Sequence, residues 1–437
     1  MATFQSGFHI CIVGAGIVGL AGGILLRRHG FKVTIIEKDA TLHTIGAGIQ
    51  LHPNALRVLQ ELGVYDNVRS KSILTDAIIL KEYATGKTMH TQDLLEAEKE
   101  YGAPVLTVHR PHLRQVLYDE ALASGVEFRF GFTIKAGSND LEKGILTLRG
   151  ESGAIESLQA DLFIGADGAN SAMREAVTGR KLEAIPHGKV VHRIVIDEAR
   201  IRERPNLRYL VEKPNIIVWM GPQSQAITYS LGGMFNIAFT RPWSLDPADA
   251  FFGPQVVDLG AFQADLAAES WDPQLRELIS LGSDCLRWMF FEPKIDDEKT
   301  PWVDATARFC LVGDSAHQTL PYLAQGAAMG LESVSVLATL LAKASHGKQV
   351  RDSLELYQRL RKERTGHIIR ASLKNGEIWQ LPNGPLKDER DRVFLHETPS
   401  AGFPNLLADP FFQSWLWGFD AHKTADEAWE SLAWQTE

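Results

Sequence analysis

The sequence contains few cysteines. Its 437 residues include three, Cys11, Cys285 and Cys310, and their spacing is not that of a metal site. Cys11 and Cys310 lie inside apolar runs, which predicts buried, unreactive thiols. This usage fits a reducing compartment, so we expect a cytoplasmic protein without a structural metal.

The chain also lacks an excess of positive charge and a plain membrane span. Its net charge is −9 and no basic stripe is present, which argues against nonspecific binding of nucleic acid. The apolar stretch Ile10–Leu26 has no basic residues before it, and its glycines have another explanation given below. The stretch Gly326–Ala342 has helical spacing and is interrupted by Glu332. Length and composition predict two or three ordinary globular domains.

A glycine-rich segment near the start of the chain carries the first functional signal. The apolar run His9–Val13 predicts a buried strand, and Gly14, Gly16 and Gly19 follow in G-x-G-x-x-G spacing. A helical pattern and a second apolar strand come next, and that strand ends at Glu37. Strand, glycines, helix, strand and acid in this order indicate a dinucleotide-binding domain.

Each residue of this segment has a physical task. Gly14 allows a tight turn, Gly16 lets the backbone approach a pyrophosphate, and Gly19 lets helix and strand pack closely. The pyrophosphate would lie on free N–H groups at the helix N-terminus. Glu37, 18 residues after Gly19, is placed to accept hydrogen bonds from a ribose diol. The segment alone leaves NAD and FAD equally open.

Two further acids follow apolar strands. Asp167 comes after the run 160–165, and Asp314 comes after the run 309–312. Carboxyl ends of parallel strands lie at the ligand-facing edge of such sheets, although Asp314 alone would also suit a helix N-cap. Beyond a proline-containing loop, Gly326 and Ala327 open a helix whose free amides would face an anion.

The middle of the chain changes character. A hairpin is predicted over Lys71–Met89, and from about Lys189 strand-like runs follow without intervening helices. We interpret these runs as an antiparallel sheet inserted into the α/β domain, a wall against which a substrate is held. The predicted strands are Val190–Ile196, Leu207–Val211, Ile216–Met220, Ala226–Leu231 and Phe235–Phe239.

Three separated segments together resemble a known family. GAGIVG with Glu37, IGADGANS, and LVGDSAHQTLPYLAQGAAMGLE resemble the single-component (group A) FAD-dependent aromatic hydroxylases, in particular the salicylate-hydroxylase-like branch with its fungal secondary-metabolite monooxygenases. The resemblance covers essentially the whole chain. It implies an α/β fold with a Rossmann-type FAD-binding domain like that of para-hydroxybenzoate hydroxylase, an inserted antiparallel β-sheet substrate domain and a C-terminal helical region. The implied boundaries are 1–188, 189–296, 297–345 and 346–437.

The resemblance also implies that the cofactor is FAD and gives roles to single residues. Pro321 would lie in the loop that faces the flavin ring where oxygen is activated. The implied cofactor contacts are Gly14, Gly16, Gly19 and Glu37 at the ADP half, Ala47 and Gly48 near the isoalloxazine, Arg110 at the phosphate or ribityl region, Asp167 at FAD and NAD(P)H, Asp314 at the ribityl chain, and Gly326 and Ala327 at the pyrimidine edge.

The family chemistry is the expected activity. NAD(P)H reduces the flavin, O₂ adds at C4a to give a hydroperoxide, and an electron-rich aromatic ring attacks its distal oxygen. The protein would contribute orientation, water exclusion and electrostatic tuning. The implied partners are a small aromatic substrate, O₂ and NAD(P)H, for a chain that is a monomer or a homodimer.

One departure from the salicylate-type pattern bears on the substrate. Gln225 stands where that branch commonly has a histidine, and an amide cannot act as a general base. Some fungal relatives instead use an arginine and a tyrosine to hold a phenolate or carbonyl, and Arg193 and Tyr229 match them. Side chains alternate along a strand, so only one of His192 and Arg193 faces the flavin, and we favour Arg193.

Two other functions stay open at this point. An FAD-dependent oxidase or reductase would use the same fold without inserting oxygen. A flavin-binding protein without turnover would keep the cofactor segments, although the arginine–tyrosine pair favours an enzyme.

Overall fold

The computed structural model describes residues 4–42, 47–134, 140, 142–180, 182, 184–244, 246–293 and 300–433. The predicted boundary at 296 lies outside these residues. The strands are β1 (His9–Val13), β2 (Lys32–Glu37), β3 (Gly48–Leu51), β4 (Ser72–Leu74), β5 (Ala77–Glu82), β6 (Thr88–Asp93), β7 (Leu106–His109), β8 (Glu127–Phe130), β9 (Phe132–Ile134), β10 (Ile145–Gly150), β11 (Ile155–Gln159), β12 (Leu162–Gly165), β13 (Ala184–Asp197), β14 (Asn215–Gly221), β15 (Ser224–Ser230), β16 (Met234–Pro242), β17 (Gln255–Val257), β18 (Cys285–Pro293) and β19 (Phe309–Leu311).

The helices follow the same chain order, and 3₁₀ turns occur at Pro247–Asp249 and Pro321–Leu323. They are α1 (Phe4–Gly7), α2 (Ile17–Arg28), α3 (Pro53–Glu61), α4 (Tyr65–Arg69), α5 (Ala97–Tyr101), α6 (Arg110–Ala123), α7 (Ala172–Thr178), α8 (Glu198–Arg202), α9 (Tyr209–Glu212), α10 (Leu259–Ala268), α11 (Pro273–Ser280), α12 (Asp314–His317), α13 (Gly326–Lys343), α14 (Gly347–Trp379), α15 (Pro385–His396), α16 (Pro410–Trp417) and α17 (Ala421–Ala433).

A parallel sheet in the order β19-β12-β1-β2-β8 contains the predicted dinucleotide segment. β1 pairs with both β2 and β12, and β12 pairs with β19. Strands β1, β2, β12 and β19 are largely apolar and nearly all buried, as expected for the centre of a parallel sheet covered on both faces, whereas the edge strand β8 is only partly buried. The loops after β1, β2, β12 and β19 therefore meet at one edge of the sheet, and this edge carries the predicted acids.

Glycines allow the elements at this edge to touch. A Cβ on Gly19 would lie 2.0 Å from the carbonyl oxygen of Gly14, so α2 packs directly on the turn after β1. A Cβ on Gly330 would lie 2.4 Å from Cγ2 of Val18, and this close approach joins α13 to α2. The interior of the domain is thus built by backbone contact between two helices and the sheet edge.

A second, larger sheet has the order β17-β18-β13-β16-β15-β14-β5-β6. Its central strands are antiparallel, as the sequence predicts. The predicted hairpin forms as β5 and β6, and it extends this sheet because β5 pairs in parallel with β14. Two short antiparallel sheets, β11-β10-β9 and β3-β7-β4, complete the sheet structure of the described residues.

The predicted strand Leu207–Val211 is wrong. This stretch forms a turn and helix α9, and helix α8 also precedes it, so helices do interrupt the sheet region. Leu207 and Leu210 are both buried, and their three-residue spacing puts them on one side of a helical turn. A short apolar run without alternating polar residues fits a buried strand and a buried helical turn equally well, so the sequence did not distinguish strand from helix here.

The C-terminal third is helical and packs on both sheets. α13 is long and apolar enough to cross a membrane, but most of its residues are buried inside the protein. It is a core helix that contacts α2, α3, α14 and α17. Trp379 and Trp417 are fully buried, whereas Trp415 is partly exposed. The tryptophan-rich end therefore contributes mainly to the core.

Candidate active site

A cavity of about 740 Å³ lies between the edge of the parallel sheet and one face of the larger sheet. Its volume is near the upper end of the range of about 300–1,000 Å³ found for small-molecule sites. Two predicted residues do not line it: Gly19 packs behind the turn, and Ala47 is buried beside it. The predicted residues that line it are Gly14, Gly16, Glu37, Gly48, Arg110, Asp167, Arg193, Tyr229, Asp314, Pro321, Gly326 and Ala327.

The backbone at one end of the cavity is open. Gly14 has φ of +105°, and a Cβ there would lie 2.5 Å from the carbonyl oxygen of Ala166. A Cβ on Gly16 would meet no atom within 4 Å, so a ligand can approach this residue closely. Gly16 also precedes α2 without a side-chain cap, which leaves the first N–H groups of the helix free for an anion.

Glu37 is held in place by an arginine that the sequence analysis missed. Its Oε2 accepts hydrogen bonds from Ala15 N at 3.0 Å and from Arg114 Nη2 at 3.1 Å. Arg114 Nε also donates to Ala15 O at 2.8 Å, so one guanidinium fixes the acid and the glycine turn together. Arg114 lies one helical turn after Arg110, and this four-residue spacing indicates in the sequence that the two arginines share one face of the helix.

Asp314 presents its carboxylate to the cavity from the end of β19. Among the described residues, no donor is hydrogen-bonded to this carboxylate, and the residue is exposed to the cavity that it lines. Burial raises its pKa, and Arg110 and Arg174 oppose that rise. Arg174 also donates to the backbone oxygens of Asp314 and Ser315, at 2.9 and 2.8 Å. The turn is therefore fixed while the carboxylate stays free for a hydroxyl group of a ligand.

The carboxylate of Asp167, unlike that of Asp314, is hydrogen-bonded within the protein. Its Oδ1 accepts from Ser171 Oγ at 2.6 Å and its Oδ2 accepts from Met173 N at 3.0 Å. Burial raises the pKa of its carboxyl group, and these hydrogen bonds oppose the rise. Asp167 thus shapes the turn into α7 while one side of it borders the cavity.

The start of α13 forms another part of the cavity wall. Pro321 begins a 3₁₀ turn, and Gly326 and Ala327 provide the first backbone N–H groups of the helix. No side chain caps these groups, so they are free to meet an electron-rich ligand edge.

A buried polar network supports this helix end from behind. Asn54 Nδ2 donates to Gln325 Oε1 at 2.9 Å and to Glu332 Oε1 at 2.7 Å. Glu332 also accepts from Arg361 and Arg364 at 2.8 and 2.9 Å. Burial alone would raise the pKa of Glu332, but the two arginines outweigh it and lower the pKa to about 2. The network was not predicted, because its hydrogen-bonded partners are up to 278 residues apart in the sequence.

The opposite wall is one face of the larger sheet, and it follows the two-residue repeat of the strands. Arg193 is on the cavity side, whereas the buried His192 ring stacks on Phe262 with 4.5 Å between ring centroids. Burial, with Arg241 and Arg287, lowers the pKa of His192 to about 4. The residues of this sheet that line the cavity are Val191, Arg193, Gln225, Ile227, Tyr229, Asn236, Ala238 and Thr240.

Arg193 is a half-buried cation without a matching acid. Among the described residues it forms no salt bridge, and its buried Nε has no hydrogen-bond acceptor. Its guanidinium lies 5.5 Å from the ring centroid of Trp288. Burial lowers the pKa of Arg193, Tyr229 opposes that effect, and Arg110 adds to it. A buried charge is costly unless paired, so this position favours an anionic ligand.

Tyr229 connects the two walls. A Cβ on Gly48 would lie 2.4 Å from Cε2 of Tyr229, so the phenol ring packs directly on this glycine. Gly48 N also donates to Asn236 Oδ1 at 3.1 Å, and Asn236 is the direct neighbour of Tyr229 on the adjacent strand. Burial raises the pKa of Tyr229, which keeps the phenol neutral and able to donate a hydrogen bond.

These features fit a flavin dinucleotide. The open glycine turn and the free helix N–H groups suit a pyrophosphate, and Asp314 suits a polyol hydroxyl. The second uncapped helix, α13, faces the same cavity from the other end. Among the described residues, no group of side chains suited to hold a metal ion occurs.

Comparisons with known proteins agree with this geometry. A family model described as an FAD binding domain matches residues 8–258 and 300–372. FAD-dependent monooxygenase OpS4 of Beauveria bassiana (strain ARSEF 2860) is 30% identical over 98% of this chain and 99% of its own. The 3-amino-4-hydroxybenzoate 2-monooxygenase of Streptomyces cremeus is 31% identical over 94% of each chain.

Solved structures share the fold. CtdE in complex with FAD and a substrate gives a TM-score of 0.80 at 20% identity, covering 98% of this chain and 99% of its own. A salicylate hydroxylase substrate complex gives 0.75 at 19% identity, covering 97% and 98%.

Proposed function

The chain belongs to the FAD-dependent aromatic hydroxylases, and we propose that it inserts one oxygen atom from O₂ into a phenolic or other electron-rich aromatic substrate bound as an anion. NAD(P)H is the electron donor, and the reaction belongs to secondary metabolism. The observation that carries the proposal is Arg193, a half-buried cation whose buried Nε has no acceptor and which has no acid partner among the described residues, on the cavity wall opposite the cofactor segments.

FAD, when bound, supplies the redox chemistry: it takes electrons from NAD(P)H and activates O₂ for transfer to the ring. The chain supplies the binding site. Gly14, Gly16, Glu37 and Asp314 would hold the dinucleotide, and Gly48, Gly326 and Ala327 would border the flavin ring. Pro321, which lines the cavity, would lie in the loop that faces this ring where oxygen is activated.

Arg193 and Tyr229 orient the aromatic substrate. An arginine stabilises a phenolate oxygen by charge-assisted hydrogen bonds, and a phenolate ring is more electron-rich than a phenol. The neutral Tyr229 donates a hydrogen bond to the same region. Among the described residues no histidine lines the cavity: Gln225 is an amide, and His192 faces away from it. The substrate's proton therefore leaves to solvent before or during binding.

The relatives support an anionic substrate. The Streptomyces cremeus relative is named for 3-amino-4-hydroxybenzoate, which carries a carboxylate and a phenol. We further place the enzyme in the cytoplasm, as a monomer or homodimer. The three cysteines support this compartment, because all are free and buried.

Stopped-flow reduction of the FAD-loaded protein tests the proposal. NADPH and NADH are each mixed with the enzyme in the presence of phenols, hydroxybenzoates, β-keto phenols and indoles, and product masses are recorded. We expect at least one anionic aromatic to accelerate flavin reduction and to gain one oxygen atom. Fast reduction that yields only hydrogen peroxide with every compound would favour the oxidase alternative. No reduction by either coenzyme would contradict the proposal altogether.

A further inference from the structure

A row of three polar side chains leads from β13 to the substrate wall. Lys189 Nζ donates to Gln380 Oε1, and Gln380 Nε2 donates to Gln225 Oε1 at 3.0 Å. Gln380 follows α14 directly, and its backbone oxygen accepts from Gln223 N at 2.9 Å. The C-terminal helices therefore hold the side chain of Gln225 by its oxygen.

Lys189 sets the direction of this row. An ammonium group has donors and no acceptor, so Gln380 must turn its oxygen towards Lys189 and its NH₂ group towards Gln225. Gln225 must then turn its oxygen towards Gln380 and its own NH₂ group away. Among the described residues, no acceptor meets this NH₂ group, and Gln225 lines the cavity. Reversing both amides would place two donors against each other at the contact between Lys189 and Gln380, so the ammonium group fixes the direction of the whole row.

We propose that Gln225 is a specificity-determining residue that donates a hydrogen bond to a carbonyl or carboxylate oxygen of the substrate. The inference rests on the proposed function and narrows it: Arg193 takes the phenolate, and Gln225 takes a second acceptor oxygen on the same molecule. Lys189 and Gln380 are positioning residues, since they act on the substrate only through the orientation of Gln225.

The register of the sheet gives the separation of the two anchors. Arg193 pairs with Ala238, which pairs with Ile227, and Gln225 lies two residues before Ile227 on the same face. With strand spacings of about 4.8 Å and a rise of about 3.4 Å per residue, the Cα atoms of Arg193 and Gln225 are about 12 Å apart. Two long side chains pointing into one cavity leave a gap between them that suits one aromatic ring with an oxygen at each end.

Matched ligand pairs test the proposal without turnover. Binding to the FAD-loaded protein is measured by the change in flavin absorbance, for 4-hydroxyacetophenone against 4-ethylphenol and for 4-hydroxybenzoate against 4-methylphenol. We expect wild type to prefer the acceptor-bearing member, and Gln225→Leu to reduce that preference by about 3- to 10-fold, the value of one hydrogen bond. Thr228→Val is the matched control, because Thr228 lies on the same strand but faces away from the cavity.

Lys189→Met tests whether Lys189 acts by orienting the amide of Gln225 or only by stabilising the fold. Without the ammonium group the row of amides can reverse, so Gln225 can offer its oxygen instead. We expect weaker binding of 4-hydroxyacetophenone together with tighter binding of 4-hydroxybenzyl alcohol, which can donate. Equal weakening of both ligands would contradict the positioning role. A preference that survives Gln225→Leu, no preference in wild type, or no binding of any pair would overturn the proposal, whether or not oxygen is inserted.

Discussion

Arg193→Met should make the substrate-free protein more stable and less able to bind an anion. Methionine keeps much of the side-chain volume but removes the charge of a half-buried side chain. Replacing whole buried ion pairs by apolar groups of similar volume is neutral or stabilises proteins by about 1–4 kcal/mol, and a single half-buried charge should lie in the lower part of that range. Arg193 borders a cavity that admits water, and its contact over Trp288, worth about 0.5–1 kcal/mol, is weakened. We therefore expect a net gain of about 1–2 kcal/mol.

The same change should weaken binding of an anionic aromatic. Hydrogen bonds to charged groups contribute about 1.5–3 kcal/mol, so the dissociation constant of 4-hydroxybenzoate should rise by about 10- to 150-fold. Arg193→Lys should lie between the two proteins, because it keeps the charge without the planar fork. His192→Phe is the control on the opposite face of the same strand and should leave ligand binding unchanged.

Urea unfolding of the FAD-saturated proteins gives the stability difference, and flavin absorbance gives the dissociation constant. The reasoning requires the two quantities to move in opposite directions. An Arg193→Met protein that is less stable than wild type, yet binds 4-hydroxybenzoate equally well, would refute it.

Three further predictions follow from other parts of the site. Asp314→Ala should yield largely flavin-free protein, because its carboxylate is open to the cavity; an unchanged ratio of flavin to protein absorbance would contradict this. Glu332→Gln should lower the free energy of unfolding by about 3–5 kcal/mol in a urea titration, because two buried arginines lose their partner, and a loss below about 1 kcal/mol would show otherwise. The pKa of His192 in the folded protein is about 4, below its value of about 6.5 in the unfolded chain, so stability is complete above about pH 6.5 and falls as the pH is lowered. By pH 5 the free energy of unfolding should be lower by about 2 kcal/mol because of this one group. Urea unfolding at several pH values should show a smaller loss for His192→Phe.

The cofactor end of the site could be predicted because its signals are local. The glycine spacing sets a turn and a helix start, and the acids Asp167 and Asp314 come directly after apolar strands. Parallel strands bring their carboxyl ends to one edge, so three distant segments could be expected to meet there. The alternation of side chains along β13 likewise separates His192 from Arg193.

The remainder depends on contacts between residues far apart in the chain. The strand predicted over 207–211 is a helix because burial of Leu207 and Leu210 decided the structure of a short apolar run. Lys189 and Gln225 are 191 and 155 residues from Gln380 in the sequence. No local sequence pattern predicts that these three side chains are hydrogen-bonded to one another. The role of Arg114 was not predicted for a different reason: a basic residue on a helix, even one turn after another, resembles an ordinary surface charge in the sequence.

The most direct test of oxygen insertion is the isotopic content of the product. The FAD-loaded enzyme is given NADPH or NADH and the aromatic that best accelerates flavin reduction, under heavy-isotope O₂ in ordinary water. The account predicts a product that carries one labelled oxygen atom per molecule, and no label when only the water is heavy. A product without label, or labelled hydrogen peroxide as the sole oxygen product for every aromatic tested, would contradict it.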